Sequence, residues 1–140
     1  MESEEASEQH EFVKQCNGGA AKMLLWLGRH LEAKTLLEGQ NDPDILSQCA
    51  HILERKRLFN EAAAMYEKGG MIKKATLLYI QANNMSKASP LVHDLQDNDV
   101  YIEFAKALEQ NKKYDAAIEM YEKTGMLLDI PQSSLRLMYI

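Results

Sequence analysis

The sequence predicts an all-α fold built by repetition, and three observations predict it. The run Phe59-Asn60-Glu61-Ala62-Ala63-Ala64-Met65-Tyr66-Glu67-Lys68 returns as Tyr114-Asp115-Ala116-Ala117-Ile118-Glu119-Met120-Tyr121-Glu122-Lys123, a constant 55 residues later. Carried outward, residues 50–71 and 105–126 share 10 of 22 positions without a gap, among them Ala50/Ala105 and Leu53/Leu108. Apolar residues recur at spacings of three and four, the period of a helix with one buried face. Between these runs stand Gly28, Gly39, Gly69-Gly70, Asn83-Asn84 and Gly125, which end helices. Repetition on this scale marks units that bury their faces on one another.

Each element follows in order. Residues 1–11 carry five glutamates and no Lys or Arg, and read as an acidic, flexible lead-in. A helix is predicted over 12–27. Gly18-Gly19 weakens its middle, since a glycine there costs ~1 kcal/mol against alanine. A short helix over 29–38 buries Leu31, Ala33, Leu36 and Leu37. Asp42-Pro43-Asp44 is a start signal: an N-cap acid, then proline where its missing N–H costs nothing. The helix over 44–57 buries Leu46, Cys49, Ala50 and Leu53. Its partner over 59–68 offers Ala62 and Ala63 for close crossing and Tyr66 to fill the space beyond. Residues 71–81 place Ile72, Ala75, Leu78 and Tyr79 on one face. Ser86 caps a helix with Ala88, Leu91, Val92 and Leu95, and Pro90 sits in its first turn or kinks it. Residues 94–99 are polar and predict a loop. The helix over 100–111 buries Tyr101, Phe104, Ala105 and Leu108, and 114–123 pairs with it. The plan is a lead-in at 1–11, a helical-repeat segment at 12–125 in four hairpins, and an atypical tail at 126–140.

Composition narrows the function. A chain of 140 residues can bury its own core. A net charge of −5 and a pI near 5.4 argue against phosphate-neutralising work, so nucleic acid is not an expected partner. No apolar run approaches the ~18 residues of a membrane helix. The start Met1-Glu2-Ser3-Glu4-Glu5 is the opposite of a cationic signal peptide. Two cysteines, Cys16 and Cys49, make no disulfide framework and imply a reducing compartment.

The chemistry-bearing residues form no catalytic or ligand-binding constellation. His10, His30, His51 and His93 are scattered, without HExxH or CxxC spacing. Gly18-Gly19-Ala20-Ala21-Lys22 lacks the Gly-Lys-Ser/Thr ending of a phosphate loop. Asp94, Asp97 and Asp99 lack the central glycine and final glutamate of a calcium loop. Both cysteines are expected to pack as small hydrophobes. The expectation is therefore no enzyme, no metal and no cofactor. Basic clusters at residues 55–57, 73–74 and 112–113 fall at helix ends and read as solvated cations near the dipole's negative pole. Trp26, Tyr66 and Tyr121 are spaced as core aromatics.

The hairpins resemble tetratricopeptide repeats. Tyr101, Phe104, Ala105 and Leu108 stand at the spacing of that family's large and small first-helix positions, and Tyr114, Ala117 and Tyr121 at its second-helix positions. In the earlier hairpin Leu46, Cys49, Ala50, Leu53, Phe59, Ala62 and Tyr66 take the same places. The resemblance implies a right-handed solenoid of antiparallel hairpins, in which small residues sit where helices cross and large ones fill the flanks. The Lys/Asn peptide clamp of some members is absent: the corresponding places hold Ser47, His51, Ile102 and Lys106.

A more particular resemblance rests on ordered runs. Gln48-Cys49-Ala50-His51-Ile52-Leu53-Glu54, then Glu61-Ala62-Ala63 with Tyr66-Glu67-Lys68-Gly69, then Lys73-Lys74-Ala75, Tyr79-Ile80 and Asn84-Met85-Ser86-Lys87, resemble the helical-repeat part of the WD-repeat subunits of the intraflagellar transport A complex. So does Tyr114-Asp115-Ala116-Ala117-Ile118. The resemblance implies a non-catalytic scaffold segment serving retrograde ciliary transport and ciliary delivery of membrane proteins. Implied partners are the other subunits of that complex, with membrane cargo reached indirectly through adaptors. Implied locations are cytoplasm, cilium and basal body. The alternatives are a segment of another coat-like vesicle or ciliary trafficking subunit, or an independent peptide-binding adaptor. Members of the family carry β-propellers and many more helices, so the chain reads as a fragment, a truncated gene model or a variant. A piece of a solenoid exposes apolar faces at its ends, which predicts self-association or marginal stability of the isolated chain.

Overall fold

A computed structural model describes residues 4–125. The described residues form α1 (Glu4–Trp26), α2 (His30–Leu37), α3 (Pro43–Arg55), α4 (Phe59–Lys68), α5 (Ile72–Gln81), α6 (Met85–Leu95), α7 (Asn98–Gln110) and α8 (Tyr114–Lys123), with no strand among them. The chain divides between Asn84 and Met85 into two compact units, α1–α5 and α6–α8. The predicted tail at 126–140 lies outside the described residues.

In the first unit α1 packs on α2 and α3, α3 on α4, and α4 on α5. The core runs through Ala21, Leu25, Ala33, Leu37, Leu46, Cys49, Ala50 and Leu53 to Ala62, Ala63, Tyr66, Ala75 and Leu78. From α3 onward it has a short period. The helices α3, α4 and α5 end at Arg55, Lys68 and Gln81, 13 residues apart. Cys49, Ala62 and Ala75 keep that spacing, as do Ala50, Ala63 and Thr76, and none of the six is exposed. Small residues at fixed steps let neighbouring backbones approach closely. Gly18 does the same for α1: a Cβ there would come within 2.9 Å of Ile45 Cγ2 on α3. Gln40 is buried in the α2–α3 loop, donating to the Lys14 carbonyl and accepting from the Asp42 amide.

The short turns are copies of one another. Gly28, Arg57, Gly70 and Lys112 each have positive φ. At each, two amides close back onto the preceding helix: Arg57 N to Glu54 O and Leu58 N to Leu53 O, then Gly70 N to Glu67 O and Met71 N to Tyr66 O. Lys112 N to Glu109 O and Lys113 N to Leu108 O repeat the pattern, as do Gly28 N and Arg29 N. This is the Schellman arrangement. The second residue of each turn (Arg29, Leu58, Met71, Lys113) is already the N-cap of the next helix.

In the second unit α7 packs on α8 and α6 on α7. The pair α7–α8 reproduces α3–α4 at the offset of 55 over a longer stretch than the sequence identity. Asp42 caps α3 through an Oδ1 that accepts from Asp44 N at 2.9 Å, and Asp97 caps α7 by accepting from Asp99 N at 2.9 Å.

Several expectations are corrected. The helix expected to begin near residue 12 begins at Glu4, because Glu8 and Glu11 suit an exposed helical surface as well as they suit a coil. The loop expected over 94–99 shrinks to a break after Leu95. Asp97 is a cap rather than loop, and α7 starts at Asn98. The helix α6 begins at Met85, so Ser86 lies inside it, and Pro90 falls within the helix rather than in its first turn. Leu31 is 82 % exposed, not buried: it lies about 200° round α2 from Ala33, which faces the core. Trp26 is half exposed, and Cys16 is exposed rather than packed.

Candidate interaction surface

The repeat positions divide by environment. Ala50, Leu53, Ala62 and Tyr66 are buried in the first copy, with Phe59 half-buried. In the second copy Ala105, Leu108 and Ala117 are buried, Tyr121 is half-buried and Tyr114 is 58 % exposed. The difference follows from neighbours. In the first copy α5 lies against α4 and sets the Lys74 ammonium 4.7 Å from the centre of the Tyr66 ring.

The tyrosines share one bond. Tyr66 Oη donates to Glu54 at 3.1 Å, Tyr79 Oη to Glu67 at 3.2 Å and Tyr121 Oη to Glu109 at 2.7 Å, each twelve residues back. Burial raises the phenol pKa of Tyr66 and Tyr79, while at Tyr121 the Glu109 bond is the larger cause. A phenol held neutral against a carboxylate is a strut between helices, not an acid poised to react. Cys49 is likewise inert: burial lifts its thiol to about 11, with Lys22 pulling weakly the other way.

The lysines at helix ends act on other helices. Lys56 Nζ donates to the Trp26 carbonyl at 2.8 Å and Lys68 Nζ to the Leu37 carbonyl at 2.8 Å, each meeting carbonyls that a helix end leaves without intrahelical donors. Lys123, the copy of Lys68, meets His93 Nδ1 at 3.1 Å in the last turn of α6. The basic run 55–57 is thus only partly solvated: Arg55 and Arg57 are exposed and Lys56 is engaged.

The exposed large apolar residues concentrate on and beside α1. The helix α1 is apolar on two sides. Gly18, Ala21 and Leu25 face inward. Phe12, Cys16, Met23, Trp26 and Leu27 form a stripe about 180° away, all exposed, with Leu31 of α2 beside its end. Periodicity alone could find both stripes but not say which was covered. Among the described residues no group of three or more His, Cys, Asp and Glu could hold a metal ion, and no helix is long and apolar enough to cross a membrane.

These features define an all-α protein of repeated helical units, with its chemistry-bearing residues used as struts and caps. No family model matches the chain. Comparison with curated proteins places it nevertheless: it is homologous to a segment of WD repeat-containing protein 19. It is 30 % identical over 118 residues to WD repeat-containing protein dyf-2 of Caenorhabditis elegans, covering 82 % of this chain. It is 30 % identical over 112 residues to WD repeat-containing protein 19 of Homo sapiens, covering 80 % of this chain. Intraflagellar transport protein 122 homolog of Danio rerio is 27 % identical over 123 residues, covering 76 %. The chain spans 8 % of the length of the first two and 10 % of the third.

Proposed function

We propose that this chain is a non-catalytic scaffold segment of an intraflagellar transport A complex subunit, serving retrograde ciliary transport and ciliary delivery of membrane proteins. The observation that carries the reading is the homology, extending over about four-fifths of the chain and through its repeated helices, to two WD repeat-containing proteins and an intraflagellar transport protein. The side chains fit a scaffold. The tyrosine struts and lysine caps fix helix to helix, and the exposed apolar stripe offers contact area. Its partners under this reading are the other subunits of that complex, in the cytoplasm and at the basal body and cilium, with membrane cargo reached through adaptors.

Affinity purification of the tagged chain from ciliated cells tests the reading. Ciliary transport subunits should be enriched, and expression in excess should slow retrograde movement by competing for them. Recovery of vesicle-coat subunits without ciliary ones would move the assignment to another coat-like trafficking complex.

A further inference from the structure

We propose that this chain forms an antiparallel two-fold dimer through the outward stripe of α1, the two copies crossing at Gly19. This inference stands on the geometry of α1 and is independent of the transport reading. Gly19 is the first observation. A Cβ built there meets nothing within 4 Å, whereas its neighbour Gly18 is pressed against Ile45. Gly18 is therefore explained by the fold, and Gly19 is not. A mid-helix glycine costs stability relative to alanine, and close approach of a second backbone from outside is what its missing side chain permits.

The second observation is the order of residues along the stripe. Phe12 stands seven residues before Gly19 and Trp26 seven after it, with Cys16 on one side and Met23 on the other. Large aromatic residues at both ends and a glycine at the centre match a helix crossing. Because the order is nearly symmetric about Gly19, a two-fold axis there is self-complementary. Antiparallel packing lays Phe12 of one copy over Trp26 of its partner. The span from 12 to 26 is about 21 Å, three to four turns of contact.

Charge fixes the direction. The acidic Glu11 lies on one flank of the stripe near its start, with Glu8 in line with Trp26, and Lys22 lies on the same flank toward its end, where its ammonium donates to the neutral side chain of Gln48 on α3 at 2.7 Å. An antiparallel pair brings Glu11 of one copy toward Lys22 of its partner, while a parallel pair sets acid against acid. Antiparallel helix dipoles favour the same choice. The area suffices. Phe12, Met23, Trp26, Leu27 and Leu31 expose roughly half to four-fifths of themselves, on the order of 600 Å². A standard protein–protein interface buries ~800 Å² per partner, a little over half of it apolar, so this area matches the apolar share of such a contact.

Sedimentation velocity of the full chain over a range of concentrations tests the proposal, with the emission of its single tryptophan, Trp26, as a second readout. The chain should pass from monomer to dimer, with Trp26 emission shifting to the blue. Gly19→Leu and Met23→Glu should each raise the dissociation constant at least tenfold while leaving helical circular dichroism unchanged. Gly19→Ala should raise the melting temperature of the dilute chain yet weaken association. Glu11→Lys should weaken association, and mixing it with Lys22→Glu should restore a heterodimer. A monomer at every concentration overturns the proposal and leaves the stripe to a different helix. A dimer that survives both Gly19→Leu and Met23→Glu, or one that Glu11→Lys strengthens, also overturns it.

Discussion

Tyr66 and Tyr121 carry the same residue in the same repeat with different surroundings, and alanine substitution separates the two contributions. Tyr66 is 1 % exposed and packs within the stack of α3, α4 and α5. Removing a buried ring of this size costs ~3–5 kcal/mol, since the fold closes only partly over the space. The Lys74 contact adds ~0.5–1 kcal/mol. The bond to Glu54 adds little, because a half-buried carboxylate regains water; Tyr66→Phe should cost only ~1 kcal/mol. Tyr121 is half-buried, so Tyr121→Ala should cost ~1–2.5 kcal/mol, about half of the full value. Urea unfolding followed by circular dichroism gives the totals. Hydrogen exchange assigns each loss to its own unit, which matters in a chain of two units. Equal costs at the two tyrosines, or less than ~2 kcal/mol at Tyr66, would refute the claim that burial on α5 distinguishes them.

Four further outcomes are expected. Arg57→Gly and Lys112→Gly each relieve a positive φ that costs an L-residue ~1–2 kcal/mol, against ~0.5–1 kcal/mol of glycine entropy, so each should add up to ~1.5 kcal/mol of stability, read as a higher urea midpoint. Gly19→Ala should stabilise the monomer by ~1 kcal/mol, whereas Gly18→Ala, whose Cβ meets Ile45, should be neutral or destabilising in the same melts. Stability should fall in alkali. The Cys49 thiol is raised from 9.0 to about 11, and the phenols of Tyr66, Tyr79 and Tyr121 are raised above 10.0, so the unfolded chain loses these protons first. Stability is complete below pH 9 and declines as pH rises through about 11, measurable as a falling urea midpoint. Thiol labelling of the dilute chain should distinguish the cysteines, Cys16 reacting at once and Cys49 only on opening.

The all-α class and the copying of α3–α4 into α7–α8 are legible in the sequence, because identity at a fixed offset survives wherever packing tolerates few alternatives. Ala50/Ala105 and Ala62/Ala117 are of that kind. The 13-residue step is harder to see. Its positions hold Cys49, Ala62 and Ala75, then Ala50, Ala63 and Thr76, small in every case but identical only in two of each three, and alanine is common throughout these helices. Asp97 is hidden in a polar run whose composition suits a loop, although its copy Asp42 is marked by the following proline. The exposed apolar stripe is the least legible part. Leu31, Trp26 and Cys16 look like core residues by period, and only the arrangement of neighbouring helices reveals that nothing in the described structure covers them.

The two-residue turns have a consequence for how such a chain can tolerate insertions. At Arg57-Leu58 and Gly70-Met71 both amides are tied to the preceding helix, and the second residue opens the next helix, so no slack remains. One inserted residue would rotate the downstream helix by about 100°. At Gly70-Met71 that would carry Ala75 away from α4 and bring a lysine in its place. The joints behave as gear teeth: they transmit phase from helix to helix. Changes in length are therefore expected in the longer α2–α3 loop, at the exposed Gly39 and Asn41 on either side of the buried, hydrogen-bonded Gln40.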